Sequence, residues 1–436
     1  MRNYRPVALL SPISKVLERL VFEQMYRHFH GNKIFHTNLH GYRKYRSTQT
    51  ALITIYDRWV RSASQGKLSG AVLLDLSAAF DLVDHHLLLQ KLRIYGLQKD
   101  CLDWLTSYLG GRYQAVWIDH QLSDFLNCDV GVPQGSILGP LLFLLYLNDL
   151  PEILESQADS YADDTTLTAT GDSIQEVEEK LTRDGCKVSL WMKSNRLKLN
   201  PQKTHLLTIG TQRKLTTLPR KLLVRMDGVL LDENLSGCES LLGCQVDATM
   251  KWNSQVNSLL VKLRKRLNSL WYLQKICPFG VRKTMTEGIF NSVMNYCLPL
   301  FGGVGKVLCN QIQVLQNRAA RFVCNAPPRA NRSRLFANLD WLTVNQTIRY
   351  QTLIAIYKIR KTKEPEYLAN FICRDSRNQR IMLPLRNLTL FDESFCVRGS
   401  NHWNQLPLQL RRDPKLESFK RGLEKWIMEK VPQFQD

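Results

Sequence analysis

The chain has 436 residues, of which 44% are hydrophobic and 9% aromatic, so it can bury the cores of two or three domains and is not a disordered protein. Its longest apolar run, Leu141 to Leu147, is too short to cross a bilayer, and its eleven cysteines lack Cys-x-x-Cys spacing, which predicts reduced thiols in an intracellular protein. The formal net charge is +20 and is concentrated after residue 210, where 36 basic residues accompany 17 acidic ones, which favours a polyanionic partner for this half.

The first predicted helix begins after Ser11 and Pro12, which suit a cap and a first helical turn. Its apolar residues recur at helical spacing, at positions Ile13, Val16, Leu17, Leu20 and Val21. Helices of this kind usually bury the apolar stripe, so we expect it to face the core.

A basic segment follows at residues 40–48, in which three cations, Arg43, Lys44 and Arg46, alternate with two tyrosines. Such a cluster can grip a triphosphate or stack on a template base. The alternative, which the sequence favours equally, is a solvated basic turn without a binding role. A second amphipathic helix is predicted from Thr48 to Val60.

The stretch Ala71 to Leu74 is aliphatic and ends abruptly in Asp75, which places a carboxylate at the tip of a buried strand. A buried carboxylate is costly unless it is paired or holds a metal. Asp75 is therefore a candidate metal ligand, with a helix N-cap as the alternative. Phe80 is expected to pack beside the same site.

Residues 87–109 have a helical pattern, and two strands are predicted at Tyr113 to Ile118 and Phe125 to Val130. The stretch Gly131 to Pro140 contains three glycines and two prolines, which predicts a loop whose backbone approaches a ligand before a buried helix. Gln134, next to Gly135, is the long polar side chain of this loop.

Two adjacent carboxylates, Asp163 and Asp164, follow Tyr161 and Ala162. Like charges side by side repel each other unless a cation lies between them. Together with a distant Asp, the pair can hold two Mg²⁺ ions for in-line phosphoryl transfer.

A helix from Ile174 to Met192 and a strand from His205 to Ile209 are predicted after this pair. Lys203 lies at the junction that leads into the strand. It could serve as a phosphate cation or proton donor, although a lone lysine is more often simply solvated.

The second half contains a predicted helix from Gln255 to Ile276, with an apolar stripe of Val256, Leu260, Leu263, Leu267 and Leu270. Its cations project mainly from other faces and are Lys262, Arg264, Lys265 and Arg266. This arrangement suits phosphate contacts along a nucleic acid, and a nuclear-import signal is the weaker interpretation.

Taken together, these motifs resemble the reverse transcriptase of non-LTR (LINE-type) retrotransposons, closest to the jockey-like group. One such motif is weak evidence, but their order along nearly the whole chain is specific. The matching elements are Asn3-Tyr4-Arg5-Pro6, the segment 41–48, Asp75 to Asp81, Gly131 to Pro140, Tyr161 to Asp164, Lys203-Thr204, and C-terminal stretches at 242–252, 313–321, 339–344, 364–368 and 403–407.

The resemblance implies an α/β (α+β) right-hand polymerase, with fingers, a palm whose antiparallel sheet is flanked by helices, a helical thumb, and a basic, mainly helical C-terminal region. The expected division is 1–210 for N-terminally incomplete fingers and palm, 211–360 for a thumb and connection that binds template-primer, and 361–436 for a region without an assigned role. The implied partners are an RNA template, a DNA primer or target, and dNTPs, in the nucleus or a cytoplasmic ribonucleoprotein. The oligomeric state is left open.

The same resemblance implies the site. Asp75, Asp163 and Asp164 would be the catalytic triad and hold two Mg²⁺ ions, which Mn²⁺ can replace. Phe80 would be a steric gate against a ribose 2′-OH. The other implied contacts are Gln134 and Gly135 at the nucleotide pocket, Arg43 and Lys44 at the triphosphate, and Lys203 as a proton donor to pyrophosphate.

Two departures from the family pattern are Tyr45, where glycine is common, and Ala78, where lysine is frequent. The chain also begins almost at the Asn3-Tyr4-Arg5-Pro6 box, which predicts a truncated protein without the usual upstream segment. A second hypothesis is therefore a retroelement relic that binds nucleic acid and polymerises poorly. RNA-dependent RNA polymerase is disfavoured by Phe80 and by Ala162.

Overall fold

The computed structural model describes residues 7–231, 233, 237–375, 377–383 and 389–430. The predicted Asn3-Tyr4-Arg5-Pro6 box lies outside the described residues. Within these ranges, no helix is both long and apolar enough to span a membrane. All eleven cysteines are free thiols.

The strands are short except for those of one central sheet. In chain order they are β1 (Leu68–Leu74), β2 (Leu76–Ser77), β3 (Tyr113–Gln114), β4 (Trp117–Ile118), β5 (Gln121–Leu122), β6 (Leu126–Asn127), β7 (Gln157–Tyr161), β8 (Asp164–Gly171), β9 (Lys198–Leu199), β10 (His205–Ile209), β11 (Arg225–Met226), β12 (Val229–Leu230), β13 (Cys238–Leu241) and β14 (Cys244–Asp247).

Helices account for most of the remaining regular structure. They are α1 (Pro12–Gly31), α2 (Thr48–Ser64), α3 (His85–Ile94), α4 (Lys99–Leu109), α5 (Gly139–Tyr146), α6 (Ile174–Ser194), α7 (Gln212–Thr216), α8 (Asn253–Trp271), α9 (Phe279–Thr286), α10 (Ser292–Met294), α11 (Leu298–Phe301), α12 (Lys306–Cys324), α13 (Arg332–Leu339), α14 (Val344–Thr362), α15 (Glu366–Ile372), α16 (Thr389–Asp392), α17 (Phe395–Asn404), α18 (Leu408–Arg411) and α19 (Leu416–Lys430). Short 3₁₀ turns occur at Ala79–Leu82, Leu150–Ile153, Pro201–Lys203 and Arg377–Gln379, and a π-helical turn at Glu287–Asn291.

The chain divides into two compact units. Unit 1 comprises residues 1–46, 69–208 and 219–233, and unit 2 comprises residues 47–68, 209–218 and 234–436. The fold class expected from the sequence is confirmed, because helices and antiparallel strand pairs are mixed and the C-terminal region is mainly helical. The functional boundaries expected near residues 210 and 360 stay predictions.

Unit 1 is built on a four-stranded sheet in the order β10-β1-β8-β7. α6 packs on this sheet, and a β-carbon at Gly70 of β1 would lie 2.7 Å from Val177 Cγ1 and 2.8 Å from Leu181 Cδ1, so a larger residue there would force these side chains to shift. α5 is the buried helix predicted for the longest apolar run, since every residue from Leu141 to Leu147 is buried.

Three expectations for unit 1 need correction. α1 begins at Pro12 as predicted, but its apolar stripe faces solvent, with Ile13 81% and Leu20 56% exposed, because the opposite face, which includes Phe29, is the buried one. The helical pattern at 87–109 is split into α3 and α4 by a turn in which Gly96 has φ +93°. The two strands predicted at 113–130 form four short strands, β3 to β6, in a hairpin.

Unit 2 is a helical assembly with a small hairpin, β13–β14. α8 buries the predicted apolar stripe in full, although it ends at Trp271, ahead of Pro278, rather than at Ile276. α2 belongs to this unit despite its early position. Its buried Asp57 accepts hydrogen bonds from Arg61 (2.5 Å) and from the Tyr367 hydroxyl (2.9 Å), which ties it to the C-terminal helices.

Candidate active site

The β7–β8 hairpin presents the paired carboxylates. Tyr161 pairs with Asp164, so Ala162 and Asp163 form a two-residue turn. Ala162 has φ +58°, a left-handed conformation that costs a non-glycine residue about 1–2 kcal/mol. The turn therefore exposes adjacent carboxylates at one end of the sheet.

Asp75 reaches the same end of the sheet. β1 and β8 are neighbours, and the hydroxyls of Ser69, early in β1, and Thr170, late in β8, lie 3.3 Å apart. The two strands therefore run antiparallel. Asp75 follows the last residue of β1, and Asp164 is the first residue of β8, so the two lie beside each other at the same end of the sheet. The N-cap alternative for Asp75 is not observed, since Ala78 precedes the next helical turn.

These three carboxylates suit a divalent cation, because hard ions such as Mg²⁺ prefer oxygen ligands. Asp75 is half-buried and accepts no side-chain hydrogen bond from the part of the chain that the structure describes. Among the same residues, no group of three or more His, Cys, Asp or Glu lies close enough together to hold a metal ion.

Phe80, five residues after Asp75, packs in an aromatic cluster. Its ring stacks on Phe143 of α5, with 4.3 Å between ring centroids, and meets the exposed ring of Tyr42 edge-on at 6.4 Å. The stacking holds Phe80 against the buried α5. The sequence predicts only phosphate or base contacts for the segment that contains Tyr42, and the structure adds its contact with Phe80.

The loop at 131–138 lies against the 3₁₀ turn that contains Phe80. Its backbone pairs with the 3₁₀ turn, since the Val132 N–H donates to the Phe80 carbonyl (2.8 Å). Gln134 Nε2 donates to both carboxylate oxygens of Asp81, at 2.8 and 3.0 Å. Gly135 has φ +102°, which only glycine adopts without strain. Sequence reasoning missed Asp81, although it ends the Asp75 to Asp81 motif.

Lys203 ends an exposed 3₁₀ turn beside Asp75. The N–H of Asn200, the residue before this turn, donates to the Asp75 carbonyl at 2.9 Å, and β9 pairs with β2 directly after Asp75. The turn is thus attached to the backbone of Asp75. The proton-donor role of Lys203 stays a prediction.

The basic segment is placed beside the β7–β8 hairpin. The His40 N–H donates to the Ser160 carbonyl at 2.8 Å. A β-carbon on Gly41 would lie 2.5 Å from the Ala162 nitrogen, so only glycine fits there. The sequence alone predicts neither contact, and its one signal for them is the glycine directly before Tyr42.

Arg43 and Lys44 differ in their surroundings. Arg43 is 9% exposed, lies over the Phe35 ring, and donates to the carbonyls of His36 (2.8 Å) and Leu39 (3.2 Å). Lys44 is exposed, with its ammonium group 5.3 Å from the Tyr26 ring centroid. Their contacts with a nucleotide stay predictions.

The four predicted nucleic-acid contacts belong to unit 2. Lys262, Arg264, Lys265 and Arg266 are exposed on α8 and lie outside its buried stripe. Arg266 also has a structural contact, since its Nη1 donates to the Ile289 carbonyl at 2.9 Å. Arg266 is therefore the least suitable of the four for testing binding.

Comparisons with known proteins give one family and several relatives. The family described as reverse transcriptase (RNA-dependent DNA polymerase) matches residues 1–223. The probable RNA-directed DNA polymerase from transposon BS of Drosophila melanogaster is 28% identical over 80% of this chain and 39% of its own length. The RNA-directed DNA polymerase from mobile element jockey of the same species is 24% identical over 74% and 36%. The chain thus spans less than two fifths of these relatives.

Among solved structures, apo telomerase from Candida tropicalis covers 95% of this chain and 61% of its own, with a TM-score of 0.43 and 10% sequence identity.

Proposed function

The chain belongs to the reverse transcriptase (RNA-dependent DNA polymerase) family, and on that premise we propose that it extends a DNA primer with dNTPs on an RNA template for a jockey-like non-LTR retrotransposon. The observation that carries the proposal is the convergence of Asp75 with Asp163 and Asp164 at one end of the sheet. Two-metal phosphoryl transfer uses carboxylates that act in one site, so their common position at this end of the sheet is what the proposal requires.

The three carboxylates are the residues that would hold two divalent ions, which we propose to be Mg²⁺, with Mn²⁺ as a substitute. When bound, these ions supply activation of the primer 3′-OH and neutralisation of the pyrophosphate charge. The hairpin turn and the end of β1 keep the carboxylates oriented before substrate arrives.

The remaining residues bind and select the nucleotide. Phe80 blocks the space that a ribose 2′-OH would need, and its stacking on Phe143 supports that role. Gln134 and Gly135 line the nucleotide pocket. The exposed Lys44 binds the triphosphate. Arg43 holds the conformation of its own segment by donating hydrogen bonds to backbone carbonyls. Lys203 protonates the leaving pyrophosphate.

We propose that α8 of unit 2 contacts the phosphates of the template-primer through its exposed cations. The concentration of positive charge after residue 210 supports this assignment. A protein that copies RNA into DNA at a target site would work in a cytoplasmic ribonucleoprotein or in the nucleus, and its free thiols are compatible with a reducing compartment.

Primer extension on poly(rA)/oligo(dT) with dTTP and Mg²⁺ tests the proposal. The parent protein should extend the primer. Asp163→Ala should lose more than about a hundredfold of the rate, since even outer-shell partners of a metal site cost 10–100-fold. Asp124→Ala, in the exposed 113–130 hairpin, is the control and should retain activity.

The second candidate, a relic that binds nucleic acid without polymerising, predicts a different result. The parent protein would then bind the template-primer but give no extension with either Mg²⁺ or Mn²⁺. Binding without extension would refute polymerase activity for this chain.

A further inference from the structure

A buried carboxylate from α1 lies at the end of the 131–138 loop. Glu18 is only 1% exposed. Its Oε2 accepts hydrogen bonds from the backbone N–H groups of Ile137 (2.6 Å) and Leu138 (3.3 Å). Its Oε1 accepts a hydrogen bond from the hydroxyl of Ser14, one turn earlier on α1, at 3.2 Å.

The position of Glu18 has a clear physical cause. The first N–H groups of a helix have no partner within the helix, and Leu138, at the N-cap of α5, offers no side-chain cap. Glu18 supplies the missing acceptor from another helix, and its negative charge interacts favourably with the positive end of the α5 dipole. The Ser136 hydroxyl accepts from the next free N–H, that of Gly139, at 2.9 Å.

A second carboxylate holds the other part of the loop. Asp81 accepts both hydrogen bonds from Gln134, and the Gln134 carbonyl accepts from the Ala8 N–H at 2.8 Å. Residues 134–138 are thus fixed between Asp81 and Glu18. Ile137 is separated from Gly135 by a single residue, Ser136, so Glu18 holds backbone directly beside the loop residues assigned to the nucleotide pocket.

We propose that Glu18 is a positioning residue of the nucleotide pocket. It fixes the backbone at Ile137 and Leu138 and thereby the placement of Gln134 and Gly135 against an incoming dNTP. The proposal rests on the proposed function for the identity of the ligand. The proposal gives α1 a role in substrate binding, through the buried face that carries Glu18 and not through its exposed apolar stripe.

The test compares Glu18→Ala, Glu18→Gln and the control Glu23→Ala, an exposed carboxylate on the same helix. The measurement is the Kd of dTTP for protein bound to a poly(rA)/oligo(dT) primer that ends in a dideoxynucleotide, so that binding is observed without turnover. Single-nucleotide extension on an ordinary primer supplies kcat and KM, and thermal melting of each variant is recorded in parallel.

Glu18→Ala leaves two N–H groups without a partner and should weaken dTTP binding by about tenfold. Glu18→Gln keeps an acceptor oxygen but loses the charge, which roughly halves the strength of each hydrogen bond, so its Kd should lie between those of the parent and the alanine variant. Glu23→Ala should match the parent. The affinity for template-primer should be the same in all four proteins.

The other outcomes separate the role of Glu18 from the polymerase function. A lower melting temperature for Glu18→Ala with a parental Kd and KM for dTTP would mean that Glu18 only stabilises the fold, and would overturn the proposal while the polymerase function stands. A parent protein that binds dTTP without extending would refute the polymerase function, and the ratio of Kd values would still decide the role of Glu18. A parent protein that binds no dTTP would overturn both.

Discussion

At the scale of single residues, Phe80 is the side chain that we propose to select the sugar of the nucleotide. Its stacking on Phe143 and its edge contact with Tyr42 leave it little freedom to move aside. Phe80→Ala should therefore open space for a 2′-OH and reduce the preference for dTTP over UTP by about tenfold or more, equivalent to about 1.4 kcal/mol. The measurement is the ratio of kcat/KM for the two nucleotides on the same template.

The control for this change is Phe125→Ala, which removes an exposed phenylalanine from the 113–130 hairpin. It should leave the ratio unchanged. An unchanged ratio in Phe80→Ala itself would remove the gate assignment while leaving the carboxylate assignment intact.

His402 on α17 makes the stability of the protein depend on pH. Burial, followed by the nearby cations Arg349 and Arg398, lowers the pKa of His402 to about 3. The unfolded chain, with a histidine pKa near 6.5, binds the proton more readily between these two values. The contribution of neutral His402 to the free energy of unfolding is therefore complete above pH 6.5. It declines as the pH falls, by up to about 1.4 kcal/mol per pH unit.

Between pH 6.5 and 5 this contribution amounts to about 2 kcal/mol. His402→Gln should flatten the fall of the melting temperature over that interval, whereas His120→Gln, in the exposed turn of the 113–130 hairpin, should not. An equally steep fall in His402→Gln would show that other groups govern the acid sensitivity.

At the scale of elements, the β7–β8 hairpin depends on the segment beside it. Gly41→Ala would place a methyl group 2.5 Å from the Ala162 nitrogen, in the turn that carries Asp163. Backbone atoms cannot move aside as a flexible side chain can, so the turn must shift. A displacement of about 1 Å at a catalytic group can lower the rate about a hundredfold. We expect kcat to fall by that order.

Gly31→Ala is a matched control, because a β-carbon at Gly31 meets nothing within 4 Å. Its kcat should equal that of the parent. If Gly41→Ala kept the parental kcat, the segment at residues 38–41 would not be what positions the hairpin turn.

The same elements show how far the sequence could be interpreted. The helix predicted at Ile174 to Met192 agrees with α6 to within two residues because its helical period is sustained, and the structure adds a Ser173 cap. The strand predicted at His205 to Ile209 coincides with β10. The face of α1 was predicted wrongly. An apolar stripe identifies an amphipathic helix, but it does not reveal that a carboxylate on the opposite face, Glu18, makes hydrogen bonds inside the protein.

The sequence indicates candidate site residues where they share a motif, but it does not predict the contacts that they make across the fold. Asp75, Asp163 and Gln134 each lie in a recognisable local pattern. The pairing of Gln134 with Asp81 and the contact of Gly41 with Ala162 join residues distant in sequence, and no spacing rule encodes such pairs.

At the scale of the whole molecule, the candidate site and the excess of positive charge belong to different units. The carboxylates of the candidate site belong to unit 1, and the exposed cations of α8 belong to unit 2. Unit 1 has 23 basic and 24 acidic residues, whereas unit 2 has 36 basic and 15 acidic residues. Nucleic-acid affinity and the rate of the chemical step should therefore be separable by mutation.

The charge reversal Lys262→Glu/Lys265→Glu tests this separation. Both side chains are exposed, and glutamate has nearly the helix propensity of lysine, so α8 should keep its buried stripe. If each lysine contacts one phosphate, the slope of log Kd against log salt should fall by about 1.5 in total. Affinity at physiological salt should fall by about tenfold or more, and kcat at saturating template-primer should not change.

Arg421→Glu/Lys425→Glu on α19 makes the same change in net charge at two other exposed positions of unit 2 and is the control. If affinity depends on the face of α8, the control keeps the parental salt slope, because charges farther than about 10 Å from the phosphates are screened at 0.1 M salt. Equal losses in the two variants would mean that affinity follows the overall charge of the protein. A parental slope in the α8 variant would exclude α8 from the nucleic-acid contact.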